Sequence, residues 1–196
     1  MLAKLARPTP AETPFVELRG SALLKQPQRL QGRLQQPDAN TLVREVMTPF
    51  HERTTIRAQD VLIERFDAGG NNPHTRKFSL RRAPELEGLL SSFTALLRGD
   101  RVLLEKNYSV QMSGDDRIGG ASWKLQLTPR DPRLLKRVSG ITLRGRGNAL
   151  ECMQLNQPDG QRTLTLLGMT AVAAAKVGDA NALGALCEGK PAASAP

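Results

Sequence analysis

The stretch Pro84-Glu-Leu-Glu-Gly-Leu-Leu-Ser-Ser-Phe-Thr-Ala-Leu-Leu-Arg98 is the clearest helical pattern in this sequence of 196 residues. Its apolar residues recur every three or four positions, a spacing that places side chains on one stripe of a helix. Pro84 suits the first helical position, and Gly99 suits the C-terminal cap. The stretch therefore predicts a helix whose apolar stripe either fills a core or forms a lid over a cavity.

A second, shorter helix is predicted directly after the first. Asp100 is a residue type that caps helix N-termini, and the following run 101–106 carries Val102, Leu103 and Leu104. The two helices together form a predicted helical insert over residues 84–106.

Outside this insert the chain predicts a series of short strands. Apolar and polar residues alternate, as in Leu30-Gln-Gly-Arg-Leu34, and turn residues separate the runs. We count about eleven runs, spaced about 8 to 12 residues apart, which is typical of a β-barrel or β-sandwich. The predicted strands cover residues 15–24, 29–35, 42–47, 50–57, 61–66, 76–81, 108–112, 122–128, 138–144, 149–156 and 163–167.

An apolar cavity is predicted between the insert and the sheet. A single sheet of this size tends to curl, and its apolar face needs a cover that the Leu-rich insert can supply. Aromatic residues make up only 4% of the chain, so few large side chains are present to fill the interior. A hollow of this kind holds apolar ligands. The predicted lining residues are Leu86, Leu89, Leu90, Phe93 and Leu97 of the helix, and Phe78, Leu80, Trp123, Leu125, Leu127, Ile141 and Leu143 of the rest of the chain.

Length and charge narrow the function further. We expect one domain over residues 1–170 and an Ala/Gly-rich tail over residues 171–196, helical at 171–177 and disordered from Gly189. No apolar run reaches about 18 residues, so no membrane-spanning helix is predicted.

The chain has 28 Lys and Arg against 19 Asp and Glu, a formal net charge of +9. The arginines alternate along strands and form no recognition helix, so nucleic-acid binding is not expected. If the protein did bind anions or nucleic acid, its binding would weaken steeply as the salt concentration rises.

The residues that usually carry catalysis are sparse. His51 and His74 are the only histidines, and neither has a second ligand or a nucleophile at useful spacing. The stretch from Gly184 to Lys190 has P-loop spacing, but Pro191 stands where Ser or Thr would hold magnesium. We therefore expect no enzyme activity, no metal and no cofactor.

The two cysteines leave two interpretations open. Cys152 and Cys187 are compatible with one disulfide in an oxidising compartment or with two buried thiols in a reducing one. Neither belongs to a Cys-x-x-Cys pair, which argues against a redox or metal site.

A series of segments, taken in order, forms a pattern along the chain. The segments are Thr13-Pro-Phe-Val-Glu-Leu-Arg19, Leu30-Gln-Gly-Arg-Leu34 with Gln36-Pro37-Asp38, the helix 84–97, Leu97-Arg-Gly-Asp100, Trp123-Lys-Leu-Gln-Leu-Thr-Pro129, Ile141-Thr-Leu143 with Gly145 and Gly147, and Pro158-Asp-Gly-Gln161. Over roughly residues 2–168 this series resembles a divergent branch of the LolA-like periplasmic lipoprotein carriers. Gln36 departs from the family, whose well-studied carriers have arginine before this proline.

The resemblance implies an α+β fold, in which a curved antiparallel sheet forms an unclosed half-barrel with helices as its lid. It implies a periplasmic monomer, its signal peptide removed, that shelters lipoprotein acyl chains or another lipid in an apolar cavity. Cargo would pass from an inner-membrane transporter to an outer-membrane receptor without chemistry. In the oxidising periplasm, Cys152 and Cys187 would be able to pair. The alternative is a filled barrel that binds or senses another envelope protein.

Overall fold

The computed structural model describes residues 8–20, 26–67, 69–70, 73–82, 100–114 and 121–190. These ranges contain eleven strands, one 3-10 helix (Leu80–Arg82) and four α-helices. The strands are β1 (Ala11–Arg19), β2 (Gln28–Asp38), β3 (Thr41–Thr48), β4 (Glu52–Arg57), β5 (Asp60–Arg65), β6 (His74–Ser79), β7 (Tyr108–Gly114), β8 (Ser122–Pro129), β9 (Gly140–Arg146), β10 (Ala149–Asn156) and β11 (Arg162–Leu167). The helices are α1 (Arg101–Asn107), α2 (Pro132–Leu135), α3 (Gly168–Ala174) and α4 (Ala180–Cys187).

All eleven strands belong to one antiparallel sheet, in the order β6-β5-β4-β3-β2-β1-β11-β10-β9-β8-β7. The first strand, β1, lies in the middle of the sheet. The next five strands run outward to β6, and β7 to β11 return from the opposite edge. The first and last strands therefore meet at the centre, where Phe15 pairs with Leu167. Because β6 and β7 form two separate edges, the sheet is not closed, and the predicted α+β half-barrel is confirmed.

Local sequence signals explain several element boundaries. The side chain of Asp100 accepts a hydrogen bond from the backbone N–H of Leu103 at 3.0 Å, so the predicted second helix is confirmed as α1. Gly147 adopts a left-handed φ of 55° in the two-residue turn between β9 and β10. Glycine reaches this conformation without steric cost, and the turn closes a hairpin.

The predicted start of the first strand was wrong. We expected it at residue 15 because Pro8, Pro10 and Pro14 precede it, whereas β1 begins at Ala11. The ladder between β1 and β11 ends at Phe15, so Pro14 lies beyond that ladder, on an edge where its missing N–H is tolerated.

The sheet has two faces, which we name after one residue of each. The "Trp123 face" includes Phe15, Glu17, Leu30, Arg44, Val46, Trp123, Leu125, Leu127, Ile141, Leu143, Met153, Leu155, Thr165 and Leu167, which alternate along the strands and pair across them. The "Cys152 face" includes Val16, Leu18, Arg29, Arg33, Val43, Glu45, Arg144, Cys152, Leu164 and Leu166.

The C-terminal helices α3 and α4 pack on the Cys152 face. A buried cluster joins Val16 and Leu166 of the sheet to Ala171, Ala174 and Leu183 of the helices. Small alanines allow α3 to lie close to the strands, so burial holds this segment although its side chains are small. The helix predicted at 171–177 overlaps α3, which begins earlier, at Gly168, and ends at Ala174, whereas α4 was not predicted. The end of the tail, residues 191–196, lies outside the described residues.

Two further contacts fasten these helices to the sheet. Arg29 of β2 donates hydrogen bonds from Nη1 to the carbonyl of Val177 and from Nη2 to the carbonyl of Ala174, the latter at 2.8 Å. The Ala174 carbonyl also accepts a hydrogen bond from the backbone N–H of Val177 at 3.0 Å, and a cation at this end of α3 complements the helix dipole. A disulfide joins Cys152 of β10 to Cys187 of α4, with their Cα atoms 5.3 Å apart.

Candidate functional site

The predicted lining residues divide into three groups. Those of the helical insert, Leu86, Leu89, Leu90, Phe93 and Leu97, lie outside the described residues. Five others come together on the Trp123 face of β8 and β9: Trp123, Leu125, Leu127, Ile141 and Leu143. Phe78 in β6 and the buried Leu80 in the 3-10 helix lie at the opposite end of the sheet order, outside that cluster.

The cluster on β8 and β9 extends to neighbouring elements. Leu104 of α1, Tyr108 of β7, and Leu134 and Val138 in and after α2 are all buried against the five predicted residues. None of these four positions was predicted to line the site. A short helix such as α2 covers too few turns for its apolar side to stand out as a periodic pattern.

Trp123 is fixed in this cluster by its polar and apolar edges together. The indole N–H donates a hydrogen bond to the carbonyl of Gly147 at 3.0 Å, while the side chain is 3% exposed. A Cβ atom at Gly145 would lie 2.3 Å from Cζ2 of the indole, so only glycine leaves room for the ring. The hairpin between β9 and β10 thus provides both the acceptor for Trp123 and the space for it.

The middle of the Trp123 face carries a charged group. Glu17 of β1 is 6% exposed and accepts hydrogen bonds from Arg19 at 2.8 Å and from Arg44 at 3.2 Å. The guanidinium of Arg44 also lies 4.9 Å from the ring centroid of Phe15. These ion pairs compensate for the burial of the carboxylate, which lies beside the apolar side chains of Phe15 and Leu30 on the same face.

The second apolar region consists of Phe15, Leu30, Val46 and Leu167, which form a buried cluster at the centre of the sheet. Gln36 also lies on the Trp123 face, because it follows Gly32 and Leu34 in the unbroken ladder between β1 and β2. The Trp123 face therefore carries one apolar cluster on β7–β9 and another on β1–β3 and β11, and the partly buried Leu150 of β10 packs against both.

A family description, "Outer membrane lipoprotein carrier protein LolA-like", matches residues 1–190. The chain belongs to this LolA-like family. No curated protein matches the sequence.

Solved structures with similar folds have low sequence identity to the chain. A LolA superfamily protein from Nitrosomonas europaea is 10% identical, with 85% of this chain and 88% of that chain covered and a TM-score of 0.37. LprF from Mycobacterium bovis is 16% identical, with 82% and 85% covered and a TM-score of 0.36. In the Pseudomonas aeruginosa MucA/MucB complex, the matched chain is 15% identical, with 95% and 59% covered and a TM-score of 0.39. The family assignment rests on the sequence match.

The opposite face of this LolA-like sheet carries a second ion cluster, around Glu45 of β3. Glu45 is 3% exposed and accepts hydrogen bonds from Arg33 at 2.7 Å and Arg53 at 2.8 Å, and its carboxylate lies 3.1 Å from Nε2 of His51. Burial opposes ionisation of the carboxylate, but the three partners outweigh it and lower its pKa to about 2. His51 also stacks on Phe66 with ring centroids 4.2 Å apart, so this histidine has a structural role.

A cleft of about 650 Å³ opens on the Cys152 face, between α4 and the central strands. Leu18 and Leu164 line its apolar side, and Gln154, Arg162 and Glu188 line its polar side. The sequence predicted a ligand cavity on the side of the helical insert. This cleft was not predicted, because α4, which forms one of its walls, was not predicted.

The described part of the chain offers neither a metal-binding group nor a membrane-spanning helix. No group of three or more His, Cys, Asp or Glu side chains is arranged there to hold a metal ion. None of the helices within the described ranges is long and apolar enough to cross a membrane.

Proposed function

We propose that this protein is a periplasmic carrier that shelters lipoprotein acyl chains, or another lipid, against the Trp123 face. The observation that carries the proposal is the gathering of Trp123, Leu125, Leu127, Ile141 and Leu143 on one face of an unclosed sheet in a LolA-like chain. Each methylene moved from water into such surroundings contributes about 0.8 kcal/mol, so one acyl chain supplies much of the affinity without polar contacts.

The location follows from the family and agrees with the cysteines. LolA-like proteins are periplasmic, and a disulfide such as Cys152–Cys187 persists in an oxidising compartment. We therefore place the protein between an inner-membrane transporter that supplies the cargo and an outer-membrane receptor that accepts it.

The buried polar side chains also agree with a carrier that performs no chemical reaction. The two buried glutamates, Glu17 and Glu45, are each occupied by arginines, and His51 is held by Glu45 and Phe66. Groups bound in this way hold the sheet together and are poorly placed to transfer protons to a substrate. The family consists of carriers and binding proteins, so we infer that this protein is not an enzyme.

The alternative function is a filled binding module that recognises another envelope protein. It is favoured by the tight packing of the β8–β9 cluster, in which Leu143 and Leu104 have no exposed surface. In that case the cluster is a core and takes up no lipid. Uptake of an apolar ligand by the β8–β9 cluster distinguishes the carrier from the filled module.

Two measurements test the carrier proposal. Mass spectrometry of lipids released from protein purified out of its native envelope identifies bound cargo, and a fluorescent fatty-acid titration measures uptake. We expect bound lipid and saturable uptake. Absence of both a bound and a bindable apolar ligand would overturn the proposal and favour the filled module.

A matched pair of methionine variants locates the uptake. Met153 is partly buried and packs against the β8–β9 cluster. Met169 lies on α3, which packs on the Cys152 face, and is 82% exposed. We expect Met153→Ser to weaken fatty-acid binding and Met169→Ser to leave it unchanged, because only Met153 loses apolar contact area in the proposed site. Equal effects would place the ligand elsewhere.

A further inference from the structure

The segment from His74 to Arg82, at one end of the strand order, carries positive charge only. It holds four Lys or Arg residues together with His74, and it contains no Asp or Glu. Arg76, Lys77 and Arg81 are exposed. Within the ranges described, neither Arg76 nor Lys77 has a salt-bridge partner, in contrast to Arg65 of the next strand, which pairs with Glu52 at 3.1 Å.

This cationic segment lies at an edge of the described sheet. β6 is the last strand of the sheet and pairs only with β5 in the described order. Because side chains alternate along a strand, Arg76 lies on the Trp123 face and Lys77 lies on the Cys152 face. Positive charge is thus presented on both sides of the edge, and Arg81 continues it beyond the end of the strand.

Protection of a sheet edge does not account for this charge. Edge strands often carry lysine, because a charge discourages another strand from pairing. The other edge of the same sheet, β7, has no charged residue in its seven positions Tyr108–Gly114. The fold therefore tolerates an uncharged edge, and the charge on β6 calls for a different explanation.

The neighbouring strand leaves one face of this edge free of acidic residues. On the Trp123 face, β5 places Val61, Ile63 and Arg65 beside β6. Its acidic residues Asp60 and Glu64 lie on the Cys152 face, opposite Ser79 and Thr75. Cations therefore adjoin apolar side chains on the Trp123 face, a combination suited to phosphate groups that border hydrocarbon.

We propose that the β6 edge, defined by Arg76, Lys77 and Arg81, docks on the surface of an anionic phospholipid bilayer. Arginine binds phosphate in a bidentate manner, and lysine adds a point charge. Each Lys or Arg near an anionic membrane surface strengthens binding about fivefold, so the three cations act together. The overall charge of +9 adds long-range attraction to the same surface.

Vesicle flotation tests the proposal with the full chain. We expect the protein to float with vesicles of phosphatidylcholine containing about one-third phosphatidylglycerol, and to remain unbound with phosphatidylcholine alone. Binding should disappear in about 1 M salt, where the Debye length falls to about 3 Å. Failure to bind the anionic vesicles at low salt would overturn the proposal.

A matched pair of double variants separates this edge from general charge. Arg76→Gln with Lys77→Gln should weaken vesicle binding about 25-fold, whereas Lys136→Gln with Lys176→Gln should change it by less than about twofold. Lys136 and Lys176 are also exposed, so both pairs remove two surface charges. Equal weakening by the two pairs would mean that only net charge matters and would overturn the docking site.

A second binding measurement distinguishes the bilayer from an acidic protein partner. An acidic polypeptide could instead pair with the β6 edge, so binding to polyglutamate is measured beside the vesicles. Binding to polyglutamate without binding to anionic vesicles would overturn the bilayer assignment. The four substituted side chains are exposed, and thermal unfolding of both double variants should match that of the unmodified protein.

Discussion

Gly145 and Trp123 are in such close contact that a Cβ atom at position 145 would lie 2.3 Å from Cζ2 of the indole and 2.1 Å from the carbonyl oxygen of Ala149. The second atom belongs to the backbone and cannot move away cheaply. We expect Gly145→Ala to lower the free energy of unfolding by about 3 kcal/mol, because overpacking here strains both the ring and the hairpin. Urea denaturation followed by tryptophan fluorescence measures the loss.

Gly184 provides a control in which the same substitution should raise the free energy of unfolding. A Cβ atom there meets no heavy atom within 4 Å, and the residue lies inside α4. Gly184→Ala should raise the free energy of unfolding by about 0.5 to 1 kcal/mol, because alanine loses less conformational freedom in a helix. A Gly145→Ala protein as stable as the unmodified one would contradict the close packing of Trp123.

The Glu17–Arg44 ion pair should be strongly coupled, because Glu17 is buried. Removing one partner of a buried pair leaves the other charge poorly solvated, and we expect Glu17→Ala to cost about 2 to 4 kcal/mol. A double-mutant cycle with Arg44→Ala measures the coupling. The exposed pair Arg101–Glu105, at 2.7 Å, is the control and should give about 0.5 kcal/mol or less. Similar coupling energies for the two pairs would argue against a buried role for Glu17.

The sheet was predictable because its signal is local. Alternation of apolar and polar residues at a period of two reports which side of a strand is buried, and Trp123-Lys-Leu-Gln-Leu127 carries it plainly. The same alternation brought Trp123, Leu125, Leu127, Ile141 and Leu143 to one face. Strand ends were less predictable, because pairing with a neighbour extends β1 back to Ala11.

The features that the sequence did not reveal depend on long-range contacts. Glu17 and Glu45 appear in the sequence as ordinary surface acids, and only folding brings Arg44 to Glu17 and Arg53 to Glu45. The helix α4 has a weak pattern in an Ala- and Gly-rich segment, and its burial against Cys152 involves a residue 35 positions away. A charged residue at an inward position of a central strand, as Glu17 is beside Phe15, is a signal that points to such a buried pair.

Stability in acid should depend on Glu45. Its pKa is about 2 in the folded protein, below the ordinary value of 4.5, so its ion pairs are fully stabilising above about pH 4.5. That stabilisation is lost as the pH falls from 4.5 towards 2, because protonation then competes with the arginines. The contribution is about 2 to 3 kcal/mol, reduced by solvent screening of the partly exposed Arg33 and Arg53.

Urea denaturation at pH 7, 5 and 3 checks this dependence. Glu45→Gln should be less stable than the unmodified protein at pH 7 and should lose less stability between pH 5 and pH 3. Glu64 lies on the same face, and Glu64→Gln should keep the full loss of stability in acid. If Glu45→Gln and the unmodified protein lost the same amount of stability between pH 5 and pH 3, the Glu45 cluster would not be the source of the acid sensitivity.

The disulfide should matter most for the C-terminal helices. It links positions 35 residues apart and fixes α4 on the Cys152 face. The chain-entropy estimate for a closed loop of this length lies between about 3 and 4.7 kcal/mol, so replacing both cysteines with alanine should lower stability by about 3 kcal/mol. Hydrogen exchange should then rise first in α3 and α4, because burial of Ala171, Ala174 and Leu183 would be their main remaining attachment. Thiol titration of denatured, unreduced protein from the periplasm should find no free thiol, and two free thiols per chain would contradict the bridge.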